Sequence, residues 1–322
     1  MGCASLDRIQ KSKSGPLAGQ IQQALRPMTE NYTHQPVMPE EVAQLLVTDK
    51  EGIYVDATLG MAGHTLKLLS VLGPKARVIG VDWDPEMAGI AATNLAVYGD
   101  RVTIVQGNFA NIDEMMKREN ITNISGVLFD LGISSLHFDK ASRGFSLRND
   151  GPLDMRINPG NPLTAYAILR YWPYEQIEHL IRVCGERNAA RIARAIIAKR
   201  ETKPLETTGE LRDLIECLVP YRGEKIHPAT KTFLALRVAV NYEFDNLTRG
   251  IQKIIPFLSK GGRLGIITFH SLEDRIVKET FKFMAKLGDW KHVTRKPVTP
   301  SLAEETSNKR SRSAKLRVIE RK

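Results

Sequence analysis

The sequence predicts an α/β fold in which a doubly wound parallel sheet is interrupted by a helical insertion and then resumed. Three observations carry that expectation. Short apolar runs, several closing on an acid, alternate with helical patterns from residue 52 to 130. A glycine-containing turn follows the first run, at Asp56-Ala57-Thr58-Leu59-Gly60-Met61-Ala62-Gly63-His64. After Asp130 the alternation stops and helical periods dominate for about 90 residues before strand-like runs return.

The bulk composition fits that class. A chain of 322 residues with 42% hydrophobic and 25% charged residues has material for one large or two ordinary domains with a core. No apolar run approaches the roughly 20 residues of a membrane helix, so no membrane association is expected. Cys3, Cys184 and Cys217 form no CxxC pair, which argues against a zinc site or disulfide framework. A reducing, cytoplasmic setting and no metal are expected. The formal charge of +10 points to a polyanionic partner, nucleic acid first.

Residues 1–33 are rich in Ser, Gln, Gly and Lys without an apolar period, and read as a disordered extension. Met1-Gly2-Cys3 lacks the Ser or Thr that myristoylation wants at the position of Leu6, and no apolar segment precedes Cys3. Arg8, Lys11, Lys13 and Arg26 among serines leave a transit-peptide reading open. The domain is expected to begin at His34.

From there Pro39 opens a short amphipathic helix through Leu46. Gly52–Val55 forms the first strand, and Thr65–Leu72 the helix after the glycine turn. Ala76–Asp82 is a second buried strand, followed by a helix capped by Asp84 with Pro85 in its first turn. Arg101–Asn108 is a third strand, Ile112–Arg118 a helix, and Gly126–Asp130 a fourth strand. Residues 34–136 thus form the first part of the sheet domain.

Residues 137–228 read as the inserted helical domain. Its helical patterns are Thr164–Leu169, Tyr174–Val183, Asn188–Arg200 and Thr208–Leu218, the last with Thr208 as cap. Arg191 and Arg194, three apart, share a helix face. A phosphate-binding face and a solvated basic face both remain open there. Residues 229–322 complete the sheet domain. A helix runs through Phe233, Leu236, Val240 and Phe244, and another from Ile251 to Leu258 ends at Gly261-Gly262. Arg263–Phe269 is a fifth strand, Leu272–Met284 a helix, and His292–Lys296 with Leu316–Ile319 bring the sheet to seven strands. Thr306–Lys315, with Lys309, Arg310, Arg312 and Lys315, reads as a basic loop suited to backbone phosphates.

Asp82, a little over 20 residues past the glycine turn, suits the ribose hydroxyls of an adenosyl ligand. The glycine spacing departs from the GxGxxG of dinucleotide enzymes. An acid before the glycines, Asp56, is more typical of S-adenosylmethionine sites, where it faces the cationic end of the ligand. Gly60, with Asn108 and Phe109 at the third strand end and Asp130 at the fourth, completes the expected pocket wall.

The ordered motifs are more specific. They are Tyr32–Met38, Asp56–His64, Asp130-Leu131-Gly132-Ile133-Ser134-Ser135, Arg143-Gly144-Phe145-Ser146, Asp150–Arg156, Gly185-Glu186-Arg187, His227–Phe233, Phe269–Arg275 and Arg310–Arg317. Through them the chain resembles the bacterial-type 16S ribosomal RNA (cytosine-N4)-methyltransferase family over nearly everything from His34 onward. The resemblance implies a class I S-adenosylmethionine-dependent methyltransferase with a Rossmann-like, seven-stranded, mostly parallel sheet. It implies N4 methylation of a specific cytidine near the decoding centre, with the small ribosomal subunit and its 16S rRNA as partners. S-adenosyl-L-methionine would be held by Ala62, Gly63, His64, Asp82, Phe109 and Asp130. His137 stands where the family usually has Gln at a further cofactor contact. Ala62 stands where it usually has Gly, a replacement without cost if the backbone angles are ordinary.

For the chemistry, Asp130 is expected to accept hydrogen bonds from the amine and serve as proton sink, with Gly132–Ser135, Ser134 included, lining the base pocket. The usual amino-methyltransferase signature, Asp or Asn before two prolines and an aromatic residue, is absent. His270 and Ser271 are expected to line the pocket opposite Asp130. Their reading with Asp274 as a hydrolase triad is disfavoured, because sequence neighbours after a strand do not normally converge that way. Competing readings are the same cofactor with a DNA base, protein or cell-wall precursor as substrate, a non-catalytic ribosome assembly factor, and a nucleotide-dependent dehydrogenase. The sequence sets no oligomeric state.

Overall fold

The chain alternates strand and helix wherever an apolar run is followed by a capped amphipathic period. In the computed structural model, which describes residues 35–219 and 226–322, it enters through helix α1 (Pro39–Leu46), opened by its proline. Then follow β1 (Ile53–Asp56), α2 (Gly63–Val71), β2 (Arg77–Asp82), α3 (Pro85–Leu95), β3 (Val102–Gln106), α4 (Ile112–Arg118) and β4 (Ile124–Asp130). Asp84 caps α3 as expected, accepting the Glu86 amide at 2.9 Å. The reading of residues 1–33 as a disordered extension lies outside the described residues, as does His34.

Helices α5 (Ser135–Asp139), α6 (Ala165–Tyr171), α7 (Tyr174–Val183), α8 (Ala189–Thr202) and α9 (Thr208–Leu218) come next. The chain then forms α10 (Thr230–Asn241), α11 (Glu243–Ile254), β5 (Leu258–Thr268), α12 (Ser271–Lys286), β6 (Trp290–His292), α13 (Leu302–Ser307) and β7 (Lys315–Arg321). Among the described residues no helix is long and apolar enough to cross a membrane.

The seven strands form one sheet in the order β3-β2-β1-β4-β5-β7-β6, parallel except that β7 runs antiparallel to both neighbours. This is the class I methyltransferase architecture that the motifs imply. The chain leaves β1 outward to β3 and returns on the other side of β1 as β4. Such a reversal opens a crevice at the carboxyl ends of the two central strands, where open α/β sheets bind ligands.

Side chains alternate across each strand and load both sheet faces. Val55, Ile79, Val127 and Phe129 pack on one face with α4, α11 and α12, while Tyr54, Val78 and Leu128 pack on the other with α1 and α2. A separate core gathers Ile168, Ile177, Ile192, Ile196, Leu211 and Ile215 from the inserted helices, with Leu153 from the loop before them. Phe233, Leu236 and Val240 of α10 join this second core, so its packing runs past residue 228.

Several boundaries differ from expectation. The helix expected through Phe244 stops at Asn241, because Tyr242 adopts the left-handed region (φ 51°) and starts α11 in a new direction. The helix expected from Ile251 to Leu258 is the end of α11. Leu258 already pairs with Ile124 in β5, and Gly261 (φ +75°) lies where the register shifts. Thr207, not Thr208, caps α9 through a capping box with Glu210. Thr208 instead accepts the Gly151 amide. The expected loop at 306–315 contains the end of α13 and a short 3-10 turn.

Candidate active site

The first βα turn is held by its neighbours rather than by its own glycines. Asp56, fully buried, accepts from the Thr65 hydroxyl at 2.8 Å, and Thr58 Oγ1 accepts the Asp130 amide at 2.7 Å. The Gly60 amide donates to Asp82 Oδ2 at 2.7 Å. The turn therefore links the ends of β1, β2 and β4 before any ligand enters. Ala62 caps α2 with φ 73° and ψ 20°, so its backbone is not ordinary and its Cβ carries left-handed strain. The condition under which Ala would cost nothing is not met.

A cavity opens at the β1–β4 crevice with about 1310 Å³ of empty space, its mouth included. Its floor is Thr58, Gly60, Gly63 and His64, with Asp82 and Trp83 from β2, Asn108 and Phe109 after β3, and Asp130 with Gly132–Ser135 after β4. Asp56 and Ala62 are not on its surface. Asp56 lies behind the wall, bonded to Thr65, so the expectation that it faces the ligand is corrected to support from behind.

The acids differ in character. Both oxygens of Asp82 accept backbone amides, Gly60 on one and Asp84 on the other. Burial dominates even so and pushes its pKa up to about 7. Burial likewise raises Asp56 above its usual value, only partly offset by His64 and Thr65. Asp130 Oδ2 lies 3.3 Å from His64 Nε2, while Asp130 Oδ1 is buried with no partner. Burial would lower the His64 pKa, but the Asp130 and Asp56 carboxylates outweigh it and hold the imidazole above its ordinary value.

His137 reaches the cavity from α5. One ring nitrogen, Nε2, meets Asp84 Oδ2 at 2.7 Å, and Nδ1 is buried without a partner. Arg143 also bonds Asp84, at 2.9 Å, and the carbonyls of Arg156 and Ile157. Burial works to raise the Asp84 pKa, yet His137, the Glu86 amide and Arg143 keep it below the usual range. This cluster ties the start of the insertion to the first turn of α3. Ser134 lines the cavity while its hydroxyl accepts the Leu136 amide at 3.4 Å to cap α5.

His270 is not on the cavity surface, contrary to expectation. It caps α12 through Nδ1, and its Nε2 sits 3.0 Å from Glu273 Oε1. Phe269 and Glu273 take the lining positions, and Ser271 does not. Asp274 is held by Arg317 and Lys315 on β7, which removes the acid a triad would need.

Of the basic candidates, Arg310 reaches the mouth, packed over Phe138 at 5.6 Å and bonded to Asp139 at 3.2 Å. Lys309 and Arg312 are exposed beside it, and Lys315 is paired with Asp274. The segment is stapled across the entry, with Glu304 accepting the Met38 amide at 2.8 Å and Asn308 donating to the Gln35 carbonyl at 3.3 Å. Arg191 and Arg194 lie exposed on α8, away from the cavity lining, with Arg194 over Tyr174.

Sequence reading missed Asn241, Glu243, Asn246 and Glu273, which form the wall opposite the glycine turn. Arg237 grips both oxygens of Glu243, at 2.7 and 2.8 Å, and supplies the cation this carboxylate group needs. Burial would raise Glu273, but His270, Arg237 and the Phe269 amide hold it below the usual range. The signal available was Asn241 and Asn246 on otherwise apolar helix faces, where a polar side chain needs a partner.

Three polar atoms on this cavity's residues, Asp130 Oδ1, His64 Nδ1 and His137 Nδ1, are thus buried and unpaired. Each unmet group costs about 1–3 kcal/mol, so their convergence marks a surface that a polar ligand completes. Acceptors at the ends of β2 and β4, with an aromatic ring after β3, fit an adenosyl group and a cationic chain.

Comparison with known proteins agrees with this geometry. The MraW methylase family model matches residues 31–322. The ribosomal RNA small subunit methyltransferase H of Coprothermobacter proteolyticus is 46% identical over 295 residues, covering 91% of this chain and 98% of that protein. The protein of the same name from Caldicellulosiruptor bescii is 44% identical over 306 residues (90% and 99%). That of Geobacter sp. strain M21 is 42% identical over 310 residues (91% and 99%).

Proposed function

The chain belongs to the MraW methylase family, and we propose on that premise that it transfers a methyl group from S-adenosyl-L-methionine to the exocyclic N4 of a cytidine in small-subunit ribosomal RNA. The observation that carries the reading is Asp130 Oδ1, an unpaired buried acceptor at the carboxyl end of β4. The relatives' shared name supplies the substrate class.

In this reading Asn108 and Phe109 hold the adenine side, Asp82 accepts the ribose hydroxyls, and Gly60, Gly63 and His64 line the remainder. The donor supplies an electrophilic methyl group on a sulfonium that leaves as a neutral thioether. The amine of cytosine is a poor nucleophile because its lone pair is delocalised into the ring. Asp130 Oδ1 accepts an N4–H bond that strengthens as the nitrogen pyramidalises, then takes the proton. Such oriented acceptors contribute about 3–4 kcal/mol. The Gly132–Ser135 backbone and the Asn241–Asn246 wall enclose the base, which must be unstacked from the RNA to enter.

We assign residues 137–228, extended by α10, as the substrate-recognition unit, with Arg191 and Arg194 toward phosphates. Arg310, Lys309 and Arg312 would hold the backbone at the mouth, and Lys315 serves through its pairing with Asp274. His270 is read as the residue that orients Glu273. The partner is the small subunit, and the setting the bacterial cytoplasm where subunits are built. The test is incubation with labelled S-adenosylmethionine and small subunits from a strain lacking the modification. Label in N4-methylcytidine is expected, and transfer to neither subunits nor free RNA would overturn the reading.

A further inference from the structure

We propose that His64 reads the charge of the methyl donor. Its imidazole keeps a proton against Asp130 while no sulfonium is present and releases it to solvent when the cationic donor is bound. The affinity for the donor relative to its neutral thioether product then rises with pH. The proposal rests on the reading that the donor occupies this cavity.

His64 stands in the first turn of α2, its side chain 6% exposed, with Nε2 3.3 Å from Asp130 Oδ2 and Nδ1 unpaired. The charged groups acting on it come from three elements: Asp130 ends β4, Asp56 ends β1, and Glu304 lies on α13. All three are acids. Asp56 is already bonded to Thr65, so Asp130 is the carboxylate left facing the imidazole. In the free protein the imidazolium is the counter-ion of this acidic corner.

Strand order places the sulfonium there too. With adenine beside Phe109 after β3 and ribose on Asp82 at the end of β2, the chain of the ligand runs across β1 toward β4. Two strand spacings are roughly 10 Å, within reach of the thioether end of an adenosyl amino acid. The sulfonium then arrives where Asp130 already holds a cation. Two cations facing one carboxylate in a water-poor pocket repel, and the imidazolium is the one that can dissociate. The product carries the same adenosyl and amino-acid groups but no sulfonium charge, so it leaves the proton on His64. Asp82 meets the same ribose in both ligands and cancels in their ratio. What remains is a donor-to-product affinity ratio that grows with pH.

The test is an imidazole-carbon NMR titration of the full-length protein, free, with S-adenosylmethionine and with S-adenosylhomocysteine. The His64 signal is identified by its loss in His64→Gln, or by through-bond assignment in the wild type if that variant does not fold. The expected midpoint is at least one pH unit lower in the donor complex, equivalent to about a tenfold change in relative affinity. Calorimetry at neutral pH in buffers of different ionisation heat should show more protons released with the donor than with the product, because Asp82 contributes equally to both. Equal midpoints in the two complexes, with the Gly60 and Gly63 amides moved by both ligands, would overturn the proposal alone. If neither ligand moves those amides, the placement of the donor falls, and the proposal with it.

Discussion

The two sides of the cavity are built on opposite terms. On the β2–β3 side the polar groups are already satisfied: Asp82 accepts two backbone amides and Asn108 caps the turn that follows β3. On the β4 side they are left open, with Asp130 Oδ1, His64 Nδ1 and His137 Nδ1 buried and unpaired. A satisfied surface is rigid and suited to holding the constant part of a ligand. An unsatisfied one is completed only when the reacting groups arrive. Under the proposed function, the difference divides binding from chemistry between strands two apart in the sheet.

The largest expected effect breaks the open side. Asp130→Ala should lower single-turnover methyl transfer by about 100-fold or more. Nucleoside analysis of the RNA product reads this directly. On the satisfied side, Asp82→Ala should weaken S-adenosylhomocysteine binding by roughly ten- to a hundredfold through two lost ribose bonds, measured by calorimetry.

The same acid sets a pH dependence. With its pKa raised to about 7, Asp82 keeps a proton in the folded protein that the unfolded chain loses near 4. The free protein is therefore stabilised at low pH and loses that contribution as pH rises through about 7. Ribose hydroxyls favour the ionised carboxylate, so affinity for S-adenosylhomocysteine should rise up to about tenfold per pH unit below 7 and level off above it. Asp82→Asn should flatten that profile.

Smaller effects sharpen the comparison. Gly250 of α11 lies so close to Phe109 that an added Cβ would sit 2.8 Å from the ring. Gly250→Ala should cost about 1–3 kcal/mol by displacing that ring, seen as a lower midpoint in urea unfolding. Ala62→Gly should relieve the left-handed strain and raise stability by about 0.5–1 kcal/mol. Binding should be little changed, because Ala62 does not face the cavity.

The sheet side of this division is readable in the sequence because buried parallel strands are continuous apolar runs, and their carboxyl ends line the cavity. Asp82, Asn108 and Asp130 line the cavity where that rule puts them, and Phe109 is reached through the family resemblance. Other features depend on geometry that no local pattern reports. The periodicity Phe233–Val240 continues to Phe244, and only the left-handed Tyr242 shows that the helix breaks. The wall of Asn241, Glu243 and Asn246 follows from that break. Asp56 has the right residue type and strand position, yet Thr65 draws its carboxylate behind the wall. His270 sits beside the lining residue Phe269, but its ring turns to the Glu273 amide to cap α12. The positive φ of Ala62 is invisible until the turn is closed.

The division of labour is tested most directly by single-turnover methylation of small subunits across a range of S-adenosylmethionine concentrations with Asp130→Asn and Asp82→Asn side by side. Asp130→Asn should lower the plateau rate by about 100-fold, a far larger change than in its half-saturating concentration. Asp82→Asn should do the reverse, moving half-saturation while keeping most of the plateau. Both variants shifting the same parameter would contradict it.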